Sequence, residues 1–267
     1  MQISGKTALI TGASSGIGAA IAKTFASEGA QVLLLARNEA RLKLVATQIK
    51  AAGGQAKTYV VDLGDTEAIA TIAKQIRTEI GTPDILVNNA GSGSWKFLQD
   101  TSPEEAWQMM ELPYFAAFNI AREFLPEMLK RNSGHIVNMS SVGSRFVWPG
   151  ATAYLAARWA VRGFTEALRA DLYDTDIGVT LYESGVVNSS YWEHNPGSRE
   201  RVPKIARMIP DLSPEQVGQA IAKGIKRNKR LVVIPFMMKT IYVQHFFFPW
   251  VVQWLITVTG YRPKIIK

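Results

Sequence analysis

Tyr154 and Arg158 stand four positions apart in the run YLAAR, so on a helix they project from one face, a turn apart. A phenol beside a fixed cation is suited to proton transfer, because the positive charge favours the phenolate. A second run, TGASSGIG at 11–18, closes a short apolar segment and opens an amphipathic one. There Gly12 permits a tight turn, Gly16 lets the backbone approach a pyrophosphate, and Gly18 allows close helix packing, with the helix N-terminus facing the negative charge. A glycine-rich turn that merely connects is the alternative, and the position between a strand and a helix counts against it.

Those residues can meet only if longer elements carry them to one place. Apolar runs at 7–10, 31–36, 56–62, 85–89, 135–140 and 178–183 have the length of strands, and 18–27, 39–52, 66–80, 103–130 and 153–173 carry helical amphipathic patterns. Strand and helix alternating in this way predict an α/β fold, a Rossmann-like doubly wound parallel sheet flanked by helices. No repeat, low-complexity tract or linker divides the chain. Residues 1–238 are therefore expected to form one nucleotide-binding domain that includes the substrate loop, and 239–267 an apolar segment that is not an independent domain.

The 267 residues are 47% hydrophobic and 19% charged, the balance of a chain that builds a large core. The absence of cysteine excludes disulfides and thiolate metal sites and suits a reducing cytoplasm. The N-terminus runs straight into the first strand, so no cleavable signal is expected. A net charge of +8 favours anionic partners: a phosphorylated cofactor, an acidic membrane surface or nucleic acid. No nucleic-acid motif accompanies the charge, so nucleic acid is not expected. His135 and His194 lack a carboxylate or second histidine at ligand spacing, so no metal is assigned.

Further motifs follow: NNAG at 88–91, IVNMSS at 136–141 and SGVVNS at 184–189. Together with TGASSGIG and YLAAR, in this order and over about residues 3–235, they resemble the short-chain dehydrogenase/reductase family. The resemblance implies an oxidoreductase in which Tyr154 is the general acid to a carbonyl oxygen, Ser141, thirteen residues earlier, polarises that oxygen, and hydride arrives from nicotinamide C4. It also implies a cofactor held by Gly12, Ser14, Ser15, Gly16, Ile17, Gly18, Asp62, Leu63, Asn89, Ala90, Gly91, Tyr154, Arg158 and Val187, and a homodimer or homotetramer joined through the two long helices. For Asp62 the alternative is a role at the start of the following helix. The second strand ends LLLARN, with Arg37 and no carboxylate; an arginine there accommodates the 2′-phosphate, so NADP is expected rather than NAD.

Two positions depart from the family pattern. Arg158 replaces its lysine; a guanidinium supplies the charge, but it is planar and never gives up its proton, so a lysine-type relay is not expected to survive. The position of the family's helix asparagine falls on Pro113, or on Leu112 or Tyr114 beside it. Both changes also suit a second class of protein, one that binds NADP(H) with little turnover and acts as a sensor or a membrane-docked partner.

Trp95, Phe146, Trp148, Tyr191 and Trp192 either line a pocket for a bulky lipophilic ketone or aldehyde or pack against the fold. Between Thr240 and Tyr261 no residue is charged, whereas Lys239 precedes the stretch and Arg262, Lys264 and Lys267 follow it. As one helix it would carry a thin polar stripe of His245, Pro249, Gln253 and Thr257. Phe246, Phe247, Trp250, Val251, Trp254, Leu255 and Val258 would form a broad apolar face. Peripheral membrane contact through 240–261 is expected over a span, with packing on the pocket or a second copy as the alternative. The basic run at 223–230 reads as a solvated helix end, with a face towards anionic lipid as the alternative.

Overall fold

The computed structural model describes residues 1–91 and 93–262. Seven parallel strands form one sheet in the order β3-β2-β1-β4-β5-β6-β7. The strands are β1 (Thr7–Thr11), β2 (Gln31–Ala36), β3 (Gln55–Val60), β4 (Ile85–Asn88), β5 (Gly134–Met139), β6 (Ile177–Ser184) and β7 (Leu231–Ile234). The order reverses between β1 and β4, which opens a crevice at the carboxyl ends of these strands, where ligands bind in such sheets. Strands β4, β5 and β6 are buried throughout, as expected of strands covered by helices on both faces.

One layer holds α1 (Gly16–Ser27), α2 (Glu39–Ala51) and α8 (Pro214–Lys226), whose apolar faces pack with Ile10, Leu34 and Val137. The other holds α3 (Thr66–Glu79), α4 (Pro103–Met110), α5 (Ala116–Lys130) and α6 (Thr152–Asp171), with Ile76, Phe124 and Leu168 packed on Leu9, Leu86 and Ile136. Trp107, Phe115, Phe118 and Trp159 stay exposed on this second layer. A short α7 (Tyr191–His194) follows β6, and α9 (Phe236–Phe247) and α10 (Pro249–Val258) end the described chain.

Four expectations are corrected. The strand expected at 56–62 ends at Val60, so Val61 and Asp62 leave the sheet at the crevice. The helix expected over 103–130 is broken by a π-helical turn, Glu111–Phe115, between α4 and α5. Pro113 lies inside that turn; it has no N–H to donate and its ring crowds the carbonyl four residues back, so the turn widens. β7 was not expected. It has only four residues, between the exposed basic run at 223–230, which does end α8, and Pro235, so it carried no alternating pattern. The single tail helix is two helices bent by 119°, because Pro249 cannot donate and forces Phe248 into an extended φ of −133°. The domain boundary expected at 238/239 falls within α9, and Lys264 and Lys267 lie outside the described residues.

A buried ladder fixes α6 on the sheet. Asn88 donates to Asn138 at 2.8 Å, and Asn138 donates to Thr165 of α6 at 3.0 Å. His135 is also buried, 2.8 Å from the Thr180 hydroxyl, and burial, with a smaller effect of the N-terminal charge, lowers its pKa to about 4. An ordinary histidine titrates near 6.5, so below that pH the unfolded chain takes up a proton that the native state refuses. This contribution to stability is complete above about pH 6.5 and falls away towards pH 4, by up to about 3 kcal/mol. Urea unfolding of His135→Gln should show a flatter pH dependence across that window than the parent; an unchanged slope would rule this histidine out as the cause.

Candidate active site

β1 ends at Thr11, and the chain turns at Gly12, where φ is +65°, to enter α1 at Gly16. A side chain at Gly18 would place its Cβ 2.3 Å from the Gly12 carbonyl, so only glycine lets α1 start this close to the strand. No side chain caps α1 at Ser15, which leaves its first amides directed at the crevice for an anion. The Thr11 hydroxyl accepts the amides of Asn89 and Ala90, both at 2.9 Å, and the Asn89 amide group donates back to the Thr11 carbonyl at 2.9 Å. The turn after β4 is thereby fastened to the glycine turn.

Beyond β5, Ser141 caps a 3₁₀ turn, Val142–Ser144, and its Oγ accepts the Gly143 amide at 3.2 Å. Among the described residues that oxygen makes no other hydrogen bond, so its proton is available to a ligand. Tyr154 and Arg158 lie in the first two turns of α6 and are both buried. The Arg158 guanidinium carbon is 4.8 Å from the centre of the Tyr154 ring, and a Cβ on Gly91 would sit 3.3 Å from an Arg158 nitrogen. The cation is thus held between the Tyr154 ring and the turn after β4. Trp95 packs on the other partners of the phenol, with ring centres 5.0 Å from Tyr154 and 5.2 Å from Trp148.

The glycine turn, the turn after β4, Ser141, Tyr154, Arg158 and Trp95 border one cavity of about 920 Å³, near the upper size of ligand clefts. It is lined by Gly12, Ser14, Ser15, Gly16, Ile17, Gly18, Arg37, Leu63, Asn89, Ala90, Gly91, Ser141, Tyr154, Arg158 and Val187, the expected site residues apart from one. Asp62 is the exception: it stands at the mouth, 3.6 Å from Arg37, with its Oδ1 accepting the Gly64 amide, because β3 ends two residues before it. Asp65, not Asp62, caps α3. The five aromatic residues named from the sequence line the same cavity, and of the three candidates for the asparagine position it is Leu112 that does so, while Pro113 is buried in the π turn.

One lining cation was missed. Arg41, in the first turn of α2 and four residues after Arg37, reaches the cavity and lies 3.3 Å from the His194 imidazole; reading on from Arg37 into the start of the helix would have found it. The Tyr191 hydroxyl accepts from Trp95 Nε1 at 3.1 Å and donates to the Gly93 carbonyl at 3.3 Å. Burial above all, and then the nearby Tyr154, pushes the Tyr191 phenol up, so it stays protonated and engaged.

The sequence model of the short chain dehydrogenase family matches residues 6–199. This chain belongs to that family. It is 36% identical over 233 residues to a fatty acyl-CoA reductase of Acinetobacter baylyi, covering 86% of this chain and 76% of the relative. Among solved structures, the L-sorbose reductase of Gluconobacter frateurii complexed with NADPH and L-sorbose matches with a TM-score of 0.77 at 28% identity, over 88% of this chain and 97% of that one. A short-chain dehydrogenase/reductase of Burkholderia phymatum shares the fold with a TM-score of 0.82 at 24% identity, over 99% and 100% of the two chains. In this family's terms the chain is an oxidoreductase with a Rossmann-like core.

A nicotinamide dinucleotide fits the residues present. The glycine turn leaves no room for a Cβ at Gly18, the uncapped start of α1 faces the crevice, and Arg37 and Arg41 stand together at the end of β2. Two cations there, with no carboxylate lining the cavity beside them, suit a 2′-phosphate.

Proposed function

We propose that the chain reduces lipophilic ketones or aldehydes with NADPH at a membrane surface. The observation that carries this reading is a single cavity running from Arg37 and the glycine turn, past Ser141 and Tyr154, to a chamber walled by Met238, Ile241, Leu255 and Ile256 of α9 and α10. When bound, the nicotinamide supplies hydride to the carbonyl carbon. Tyr154 gives its phenolic proton to the carbonyl oxygen, and Ser141 Oγ donates a hydrogen bond to the same oxygen, which stabilises the charge that grows there. Arg158, beside both the phenol ring and Gly91, keeps a positive charge where the phenolate forms. Among the described residues Trp148 Nε1 is buried in the lining without a hydrogen-bond acceptor, so it suits a polar atom of the substrate, since an unpaired buried donor is costly. Long-chain aldehydes and ketones offered with NADPH should be reduced to alcohols, and no cofactor oxidation across such a panel would overturn the reading.

The membrane part rests on how the tail is turned. Two members of the expected polar stripe face the protein, where His245 packs edge-on against Phe146 with ring centres 5.0 Å apart and Gln253 donates to the Val147 carbonyl at 2.7 Å; Pro249 and Thr257 are exposed, and Leu255, expected on the outer apolar face, turns to the cavity because the helix bends at Pro249. The aromatic face points outward, with Phe246 79%, Trp250 74% and Trp254 61% exposed. An apolar face of this kind flanked by Lys239 and Arg262 suits the boundary of an anionic bilayer. Among the described residues no single helix is long and apolar enough to span one, though the bent pair passes by length and composition. Sedimentation with vesicles containing phosphatidylglycerol should retain the parent protein, and a Trp250→Ser/Trp254→Ser variant should bind at least about tenfold less. Equal sedimentation of the two would remove these helices from the contact.

A further inference from the structure

Glu183 is the penultimate residue of β6, fully buried, and outside the lining of the cavity. A buried carboxylate is tolerated only when well partnered, and the partners of this one come from three directions. Ser144 Oγ lies 2.5 Å from Oε1; Arg145 Nε donates to Oε2 at 2.7 Å, and the Tyr242 hydroxyl donates to Oε2 at 2.9 Å. Ser144 and Arg145 belong to the turn that Ser141 caps. The Ser141 carbonyl accepts the Ser144 amide at 2.9 Å and lies 2.8 Å from the Ser144 hydroxyl, whose single proton it shares with Glu183, so the turn is tied to Glu183 through Ser144.

Tyr242 belongs to α9, whose neighbouring residues Met238 and Ile241 wall the substrate chamber. The Arg145 guanidinium carbon stacks 4.7 Å from the Tyr242 ring, which closes the cluster. Burial works against the Arg145 charge, but its hydrogen bond and attraction to Glu183 outweigh this and raise it. The Tyr242 phenol is pushed up by burial and then by the Glu183 charge. One group remains a cation and the other a donor, so the arrangement is held at neutral pH.

We propose that Glu183 is a positioning residue which, through Ser144 and Arg145, sets the Ser141 turn and, through Tyr242, makes the placement of Ser141 depend on α9 being seated against the body of the protein. A carbonyl compound that fills the chamber, or a surface that holds α9 in place, then tightens the catalytic turn. The role in turnover rests on the reductase reading above; the structural coupling does not. Positioning matters at this scale because a displacement of about 1 Å in a reacting constellation costs up to about a hundredfold in rate.

The test uses Tyr242→Phe and Ser144→Ala, each of which removes one oxygen and leaves the Glu183–Arg145 pair intact, and their double variant. Hydrogen exchange of the NADPH-loaded protein reads the coupling without turnover: amides of 142–146 should exchange several-fold faster in Tyr242→Phe, although Tyr242 lies on another helix. With dodecanal as substrate, each single variant should lower kcat by about threefold to tenfold with KM and NADPH affinity nearly unchanged, as expected when only transition-state alignment is lost. The double variant should fall no further than the worse single one, because both cut the same chain of contacts. Unchanged exchange at 142–146 overturns the coupling. Multiplied single effects, or losses confined to KM, overturn the positioning role. If the parent protein itself turns over no carbonyl compound, the reductase reading fails, and the exchange result still decides whether Tyr242 holds the Ser141 turn.

Discussion

Tyr154→Phe should lower kcat for aldehyde reduction by about three orders of magnitude, within the range a positioned general acid contributes, while NADPH binding changes by less than about threefold. The substitution removes one oxygen and keeps the ring that Arg158 and Trp95 pack against, at 4.8 Å and 5.0 Å, so the buried face of α6 is undisturbed. A second phenol stands close by, which makes the expectation specific. Tyr191 is already engaged with Trp95 and Gly93, and burial holds its proton on; it cannot give up a proton at modest cost and so does not substitute. Ser141 and Arg158 would remain, and with them orientation and charge, but no donor able to complete the alcohol. NADPH fluorescence titration and loss of NADPH absorbance on the same samples check both halves. A variant that keeps more than about a third of parental kcat would show that the proton comes from elsewhere.

Replacing Arg37 and Arg41 together by alanine should weaken NADPH binding by about a hundredfold and leave NADH binding nearly as it was. A charge-assisted hydrogen bond to a phosphate contributes about 1.5–3 kcal/mol, and the two arginines, one before the start of α2 and one in its first turn, both line the cavity. Both are exposed in the absence of a ligand, so solvent and salt screen them and no more than the lower end of that range, about 1.5 kcal/mol, applies to each. Arg37 also pairs with Asp62 at 3.6 Å. Its loss would leave that carboxylate at the mouth facing the phosphate, which adds repulsion against NADPH alone. Titration of both cofactors against the double variant checks this; a parallel loss of NADH would mean that the arginines shape the site rather than read the phosphate.

Much of this was legible in the chain before folding because it is local. A glycine turn between a strand and a helix needs only the residues of that turn, and a tyrosine and an arginine four apart on a helix share a face wherever the helix lies. Strand and helix alternation likewise states the layers, and parallel crossovers leave little choice of topology. β7 was missed because four apolar residues before a proline hold no period, and the π turn because a proline announces a break without saying how the helix closes it.

The tertiary structure decided everything that depends on which way a face is turned. The tail's periodicity separated His245 and Gln253 from Phe246, Trp250 and Trp254, yet it could not say that the first two would meet Phe146 and Val147 and that the three aromatics would look outward. Glu183 was invisible as a site residue for the same reason. It was one carboxylate in a strand pattern, and its partners at 144, 145 and 242 become neighbours only when β6, the turn after β5 and α9 pack together. Sequence determines the period and the chemistry of each side chain; burial, and with it the strength of every charge in the cluster, exists only once three distant segments exclude water from the same space.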